Sequence, residues 1–171
     1  MSFFTTDLFV RLGAAAIASL SFAVLFHIDR RHLPLSTIGS TVTYFIFYTV
    51  MFFNGSDFAA ALLSTLFTAL FSKFAARARR APTIVFLIPA IIPTVPGASL
   101  YNTMHHAISG EWNIAFDHLL VALEIAFGIA GGILIVSALY DLVMDFYKKQ
   151  KKNATEIPLR NSNPPPDSTK P

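Results

Sequence analysis

Three prolines and a glycine interrupt an apolar stretch of the chain, residues 87–98, which reads LIPAIIPTVPGA. Pro93 and Pro96 have no amide hydrogen and clash with the preceding helical turn, while Gly97 permits backbone angles that other residues avoid. We therefore expect a helix to open between Pro93 and Gly97. Opened backbone at membrane depth is tolerated only inside protein or beside a water-filled cavity, and many transporters bind substrate at broken helices. The stretch is the first candidate binding site; a proline kink that only shapes helix packing is the alternative.

The residues after this break offer groups that suit a small carboxylate. A helix restarting near Ala98 would direct its free amide groups and the positive end of its dipole toward the opening. Thr94 and Ser99 lie close by in the sequence, and Tyr101 and Asn102 fall on the first turn of the new helix. Tyr101 and Asn102 could bind a hydroxyl or ammonium group, or make ordinary hydrogen bonds between helices. The predicted substrate-binding residues are Pro93, Thr94, Pro96, Gly97, Ser99, Tyr101 and Asn102.

Glu124 is the only acidic residue deep within the last apolar segment. A carboxylate in hydrocarbon costs about 2.5 to 3.5 kcal/mol or more unless it is neutralised, paired or facing a cavity. Counting about 1.5 Å per residue places both Glu124 and the break near the midplane of a hydrocarbon core about 30 Å thick. We therefore predict that Glu124 is a proton-coupling residue; a structural hydrogen bond between helices is the alternative.

Small residues follow Glu124 at helical spacing. Gly128, Gly131 and Ile135 recur on the same predicted face, and Gly132 adds a further small surface. Small residues let two membrane helices approach closely, so we expect this face to pack against a neighbouring helix.

Several titratable residues gather between the break and Glu124, namely His105, His106, Glu111, Asp117 and His118. Adjacent histidines on a helix point about 100° apart and rarely bind one ion together. We therefore expect interfacial solvation or a proton entrance here, and no metal site. The sequence contains no nucleophile elbow, phosphate loop or metalloprotease motif, so it predicts neither an enzyme nor a bound cofactor.

The composition predicts an all-α integral membrane protein in a lipid bilayer. Of 171 residues, 54% are hydrophobic and only 13% are charged, whereas soluble domains carry about a quarter charged residues. The mean hydropathy is +0.56. Cysteine is absent, which excludes disulfides and thiolate chemistry. The sequence pI is about 9.3, yet the basic residues stand where membrane topology needs them, so we expect no nucleic-acid partner.

Apolar runs of about 20 residues predict five transmembrane helices, the fourth of them broken at the Pro/Gly motif. The predicted spans are residues 8–26, 35–53, 58–76, 82–108 and 114–146. Asp57 is predicted to cap the third helix after a short turn, which makes spans two and three antiparallel neighbours. We expect a transmembrane domain over 1–147 and a basic, Pro-rich, disordered cytoplasmic tail over 148–171.

The basic residues predict the orientation of the chain. Clusters follow spans one, three and five, whereas the opposite loops contain no Lys or Arg. By the positive-inside rule, the N-terminus is outside and the C-terminus is cytoplasmic. Arg11 and Lys73 lie near span ends, where each can extend toward lipid head groups. The clustered basic residues are Arg30, Arg31, Arg77, Arg79, Arg80, Lys148, Lys149, Lys151 and Lys152.

The segment 88–101, IPAIIPTVPGASLY, resembles the threonine/serine exporter (ThrE) family, and in particular its short membrane subunit. The resemblance also rests on the chain length, the place of the motif in span four and the basic stretch before it, and it covers roughly residues 8–147. It implies that the chain is similar to the C-terminal half of the longer, fused exporters and works with a separate, larger membrane subunit. It further implies proton-driven export of threonine and serine, or of a dicarboxylate such as succinate.

These observations give one working hypothesis and two alternatives. The hypothesis is a five-span exporter subunit in the plasma membrane of a bacterium that binds a small carboxylate at the break and couples its movement to protonation of a carboxyl such as Glu124. The first alternative is a non-transporting membrane scaffold that stabilises its partner. The second is a pore formed by a homo-oligomer, which predicts flux without proton dependence.

Overall fold

The computed structural model describes the backbone of residues 2–160 and the side chains of residues 8–146 and 149. Within that range the chain is helical and contains no strand. The segment between α4 and α5 contains one short 3₁₀ helix, Ile92–Thr94. The helices are α1 (Ser2–Leu25), α2 (Leu33–Asn54), α3 (Asp57–Arg79), α4 (Ile84–Ile91), α5 (Gly97–Ile108) and α6 (Trp112–Arg160).

In the part of the chain that the structure describes, four helices are long and apolar enough to cross a membrane: α1, α2, α3 and α6. Helices α4 and α5 together would supply a fifth crossing, because they pass the same test as a pair bent by 48°. The all-helical membrane fold predicted from composition is therefore confirmed, with four to five candidate spans. That α4 and α5 form one broken span stays a prediction.

Local signals explain where α2 ends and α3 begins. Gly55 adopts φ 63°, a left-handed conformation that glycine tolerates, and its amide donates to the Met51 carbonyl at 3.0 Å. Ser56 then caps α3, since its side chain accepts a hydrogen bond from the Ala59 amide at 3.4 Å. The predicted cap, Asp57, is instead the first residue of the helix, because the extended backbone at Ser56 directs the serine hydroxyl at the free amides.

The interfaces among the first three helices are built from small residues. Helix α2 packs against α1, α3 and α4. The Thr43 and Thr68 hydroxyls share a hydrogen bond of 2.6 Å between α2 and α3. Other buried hydroxyls have no hydrogen-bond partner in the described part of the chain: those of Ser19, Ser36, Ser40, Thr65 and Ser72. Large apolar side chains instead cover the outside of the helices, a distribution that suits lipid and close helix packing.

Two glycines of α6 confirm the predicted close packing. A Cβ on Gly128 would lie 2.7 Å from the Ala61 Cβ, and one on Gly132 would lie 2.9 Å from the Thr65 Cβ. The backbone of α6 therefore lies directly on α3. Glu124 and Ile135, expected on the same face, are both exposed, because the buried stripe of α6 also includes Ala122, Ile125 and Val136 and is centred to one side of them.

The chain divides into two compact units, Met1–Val136 and Ser137–Pro171. The tail was expected to be disordered from residue 148, but α6 continues to Arg160. Residues 148–157 contain no proline and include lysines and a glutamine, which favour helix, so nothing in that stretch forces the helix to end. The remainder of the predicted tail, residues 161–171, lies outside the described residues.

Candidate functional site

The Pro/Gly motif lies between the end of α4 at Ile91 and the start of α5 at Gly97. Helix α4 is followed by the 3₁₀ helix, and Val95 then adopts an extended conformation with φ −63° and ψ 132°. The Gly97 amide donates to the Val95 carbonyl at 2.7 Å, and α5 begins at Gly97. Pro93 and Pro96 flank the extended residue, and neither ring nitrogen can continue a helical hydrogen-bond ladder. The backbone therefore turns by 48° between the two helices.

A cavity of about 310 Å³ lies at this interruption. Five of the seven predicted binding residues line it: Pro93, Thr94, Pro96, Gly97 and Ser99. The remaining wall residues come from the surrounding helices α1, α2, α3 and α6, apart from Val95 and Ala98 of the interruption itself. These wall residues are Arg11, Tyr44, Phe47, Tyr48, Met51, Asp57, Val121 and Ile125.

The structure does not bring Tyr101 and Asn102 to the cavity. Tyr101 is 68% exposed and its ring stacks on His105, with the ring centroids 6.1 Å apart. Asn102 is half-buried but is not among the residues that line the cavity. The cavity is lined by the start of α5, up to Ser99, whereas these two residues lie later on its first turns.

The start of α5 offers backbone donors to the cavity. No side chain caps this helix at Pro96, and the Leu100 amide is the first to bond back, donating to the Pro96 carbonyl at 3.0 Å. The amides of Ala98 and Ser99 belong to the first turn, where a helix provides no acceptors. Thr94 is almost fully buried, and its hydroxyl donates to the Ile91 carbonyl at 2.7 Å. The first-turn amides of Ala98 and Ser99 therefore offer hydrogen-bond donors at the cavity, whereas the Thr94 hydroxyl proton is already used.

Sequence reasoning missed the charged and aromatic residues of the cavity. Arg11 and Asp57 were interpreted as a head-group contact and a helix cap, yet both line the cavity. The guanidinium carbon of Arg11 lies 6.0 Å from the centroid of the Tyr48 ring, within cation–π range. Tyr44, Tyr48 and Met51 recur at helical spacing, which could have identified one wall of α2 as a partly polar face.

Glu124 does not line the cavity. Helix α6 contributes Val121 and Ile125 instead, and Ile125 is only 5% exposed. Consecutive helical residues point about 100° apart, so the side chain of Glu124 leaves the helix on another side and is exposed at the surface of the chain. The carboxyl group at the cavity is that of Asp57.

The predicted histidine cluster forms contacts outside the cavity. His106 Nδ1 is hydrogen-bonded to Glu111 Oε2, and the His106 ring stacks on His118 with centroids 5.6 Å apart. The described residues contain no group of three or more His, Asp or Glu side chains that could hold a metal ion. The cluster joins the end of α5 to the start of α6, and Asp117 is exposed beside it.

Comparison with known proteins identifies one family. Residues 11–139 match the family described as Threonine/Serine exporter, ThrE. The match covers most of the chain and includes every residue that lines the cavity. No curated protein and no solved structure gives a significant match.

Proposed function

We propose, because the chain belongs to the threonine/serine exporter family, that it is a membrane exporter subunit that binds small carboxylate-bearing metabolites in the cavity at the α4–α5 interruption. The candidate substrates are threonine and serine, or a dicarboxylate such as succinate. The observation that carries the proposal is that a cavity of about 310 Å³ lies at the segment between the end of α4 and the start of α5.

The geometry supports binding of a carboxylate at this place. A substrate carboxylate would accept hydrogen bonds from the Ala98 and Ser99 amides and lie at the positive end of the α5 dipole. Ile84–Thr94 spans roughly 16 Å at 1.5 Å per residue, about half the thickness of a bilayer core, so a single broken span would place the cavity near the midplane. This is the arrangement by which discontinuous helices bind anionic substrate groups.

We further propose that a larger membrane subunit of the same family covers the exposed face of α6. Glu124 is exposed on that face, within a helix segment apolar enough to span a membrane. A carboxylate facing lipid there costs about 2.5 to 3.5 kcal/mol or more, and a partner helix carrying a hydrogen-bond donor or a cation would remove that cost. A homo-oligomer is the alternative occupant.

Proton coupling and orientation complete the proposal. Glu124 is proposed to exchange a proton as substrate moves, from its position between α6 and the partner. The protein is proposed to lie in the plasma membrane with its N-terminus outside and its C-terminus in the cytoplasm. The support is the clustering of Lys and Arg after alternate spans.

Reconstitution with and without the larger subunit tests this function. Proteoliposomes loaded with labelled threonine, serine or succinate should release label only when both subunits are present and a proton gradient is imposed. The Glu124→Gln variant should lose the dependence on the gradient. Release that is unaffected by collapsing the gradient would instead indicate a pore, and release by the partner alone would indicate a scaffold.

A further inference from the structure

We propose that Arg11 and Asp57 recognise the two opposite charges of a zwitterionic amino acid in the cavity, an inference that rests on the proposed function. Arg11 would bind the carboxylate and Asp57 the ammonium group. The assignment selects an amino acid over a dicarboxylate as the substrate class.

The first observation is that both charges line one cavity from different helices. Arg11 extends from α1, and Asp57 is the first residue of α3. Both residues line the same cavity as Gly97, where the amides at the start of α5 favour negative charge. The cavity therefore has two groups suited to a carboxylate, Arg11 and the α5 amides, and one suited to an ammonium.

The second observation concerns Asp57, which is not needed as the cap of its helix. Ser56 already accepts the hydrogen bond from the Ala59 amide. The carboxylate of Asp57 is partly buried at the cavity, where a cation would satisfy it. An acidic residue in the first turn stabilises a helix, so its presence there does not by itself indicate a binding role. The feature that supports a binding role is that Asp57 lines the same cavity as Arg11.

The third observation is how Arg11 is held. Its guanidinium lies over the Tyr48 ring, with the guanidinium carbon 6.0 Å from the ring centroid, and Tyr48 lines the same cavity. This contact draws the head of Arg11 toward α2 and the cavity. The planar guanidinium group of arginine can donate hydrogen bonds to both oxygens of a carboxylate. This geometry suits recognition of a substrate carboxylate.

This arrangement of Arg11 and Asp57 distinguishes the two substrate classes by their charges. A zwitterion places one negative and one positive group beside Arg11 and Asp57, respectively. Succinate carries a carboxylate at each end, so one of its carboxylates would face Asp57, and like charges repel at short distance. The cavity is thus complementary to an amino acid and opposed to a dianion.

Competition binding tests this assignment on the full-length chain together with its larger subunit in lipid nanodiscs. Labelled L-threonine is displaced by unlabelled threonine, by 3-hydroxybutyrate, which lacks the ammonium, by 1-amino-2-propanol, which lacks the carboxylate, and by succinate. In the unaltered protein each of the last three should compete at least about tenfold more weakly than threonine, as expected when one charge contact is lost.

Two neutral variants then identify which residue reads which charge. Asp57→Asn should weaken threonine binding while leaving 3-hydroxybutyrate unchanged, and Arg11→Gln should weaken threonine while leaving 1-amino-2-propanol unchanged. Asp57→Glu should restore part of the preference for the ammonium. Asp29→Asn and Arg31→Gln are matched controls, because both residues are exposed and lie outside the cavity.

The outcomes distinguish this inference from the proposed function. If threonine binds but Asp57→Asn still prefers it to 3-hydroxybutyrate as strongly as before, the charge assignment is overturned and the exporter site stands. Preference for succinate over threonine in the unaltered protein also overturns the assignment alone. Binding of none of the four compounds overturns both. A melting temperature measured for each variant identifies any that fail to fold. If Asp57→Asn does not fold, the preference of Asp57→Glu for threonine over 3-hydroxybutyrate tests the role of position 57.

Discussion

Gly128 of α6 and Ala61 of α3 approach so closely that a Cβ on the glycine would lie 2.7 Å from the Cβ of the alanine. The Phe58 carbonyl oxygen would be 2.8 Å away, so backbone as well as side chain limits the space. The glycine is therefore required by packing between two helices, which is how small residues act in membrane interfaces.

Substitution of Gly128 should destabilise the helix bundle. Gly128→Ala forces α6 away from α3, and overpacking of this kind costs about 1 to 3 kcal/mol. Thermal unfolding in detergent, followed by circular dichroism, measures the loss. Gly131→Ala is the matched control, since its Cβ would meet only Leu62 Cδ1 at 3.5 Å, an ordinary contact. Equal melting temperatures for the two variants would contradict the packing of α6 on α3.

Gly97→Leu should stop transport without unfolding the protein. A Cβ at Gly97 meets nothing within 4 Å, and the residue lines the cavity, so a larger side chain can occupy the space that we propose for substrate. Efflux of labelled threonine should fall at least about tenfold, a loss equivalent to about 1.4 kcal/mol of binding free energy.

The control for Gly97 is Gly13→Leu. Gly13 also has open space around its missing Cβ, is exposed on α1 and lies outside the cavity. Both variants should keep the membrane level and melting temperature of the unaltered protein. Normal efflux from Gly97→Leu would remove the interruption as the substrate site.

The Thr43–Thr68 hydrogen bond should contribute little to stability. Each hydroxyl also lies within hydrogen-bond distance of a carbonyl of its own helix, Thr43 at 2.8 Å from Gly39 and Thr68 at 2.7 Å from Ser64. A hydroxyl has one proton, so only one of the two can donate across the interface while the other keeps its own helical bond. A double-mutant cycle with Thr43→Val and Thr68→Val should give a coupling free energy of about 0.6 kcal/mol. A coupling above about 2 kcal/mol would show that the bond between helices dominates.

The face of α6 around Glu124 should contact the larger subunit. The chain has no cysteine, so a thiol-reactive benzophenone can be attached to one introduced residue. Leu123→Cys, on the exposed side, should crosslink to the partner on illumination. Ala122→Cys, where only 3% of the residue is exposed, is the control and should not. Crosslinking of Leu123→Cys to lipid alone, with the partner present, would argue against this interface.

Labelling of single cysteines should establish the orientation of the chain. Ser109→Cys, in the exposed turn after α5, should react with a membrane-impermeant maleimide in intact cells. Ala78→Cys, exposed in the last turn of α3 beside Arg77 and Arg79, should react only after the membrane is permeabilised. The reverse pattern would invert the proposed topology.

The sequence predicted the elements of this fold well because hydropathy and turn chemistry are local properties. The predicted start of the third helix differs from α3 by one residue, at Asp57, and the Pro/Gly interruption lies where the prolines require it. The exporter family was also identified correctly from the motif around that interruption.

The site was predicted only in part, because its walls come from distant segments. Five of the seven predicted binding residues line the cavity, but Arg11 and Asp57 reach it through packing of α1 and α3 that no local pattern specifies. That Glu124 lies near the midplane stays a prediction, whereas the side of α6 on which it lies depends on which residues of α6 meet α3. Depth follows from length, and direction follows from tertiary contacts.

The buried serines and threonines along α1, α2 and α3 have a consequence for how the bundle can open. Five of their hydroxyls have no partner within the described protein, and a buried unsatisfied polar group costs about 1 to 3 kcal/mol. Water entering between the helices would hydrate these groups, and this hydration would offset part of the packing free energy that is lost when the helices separate. An interface of alanine and leucine has no hydroxyl groups for water to hydrate. The interfaces among these helices are therefore better suited to separating, taking up water and packing together again.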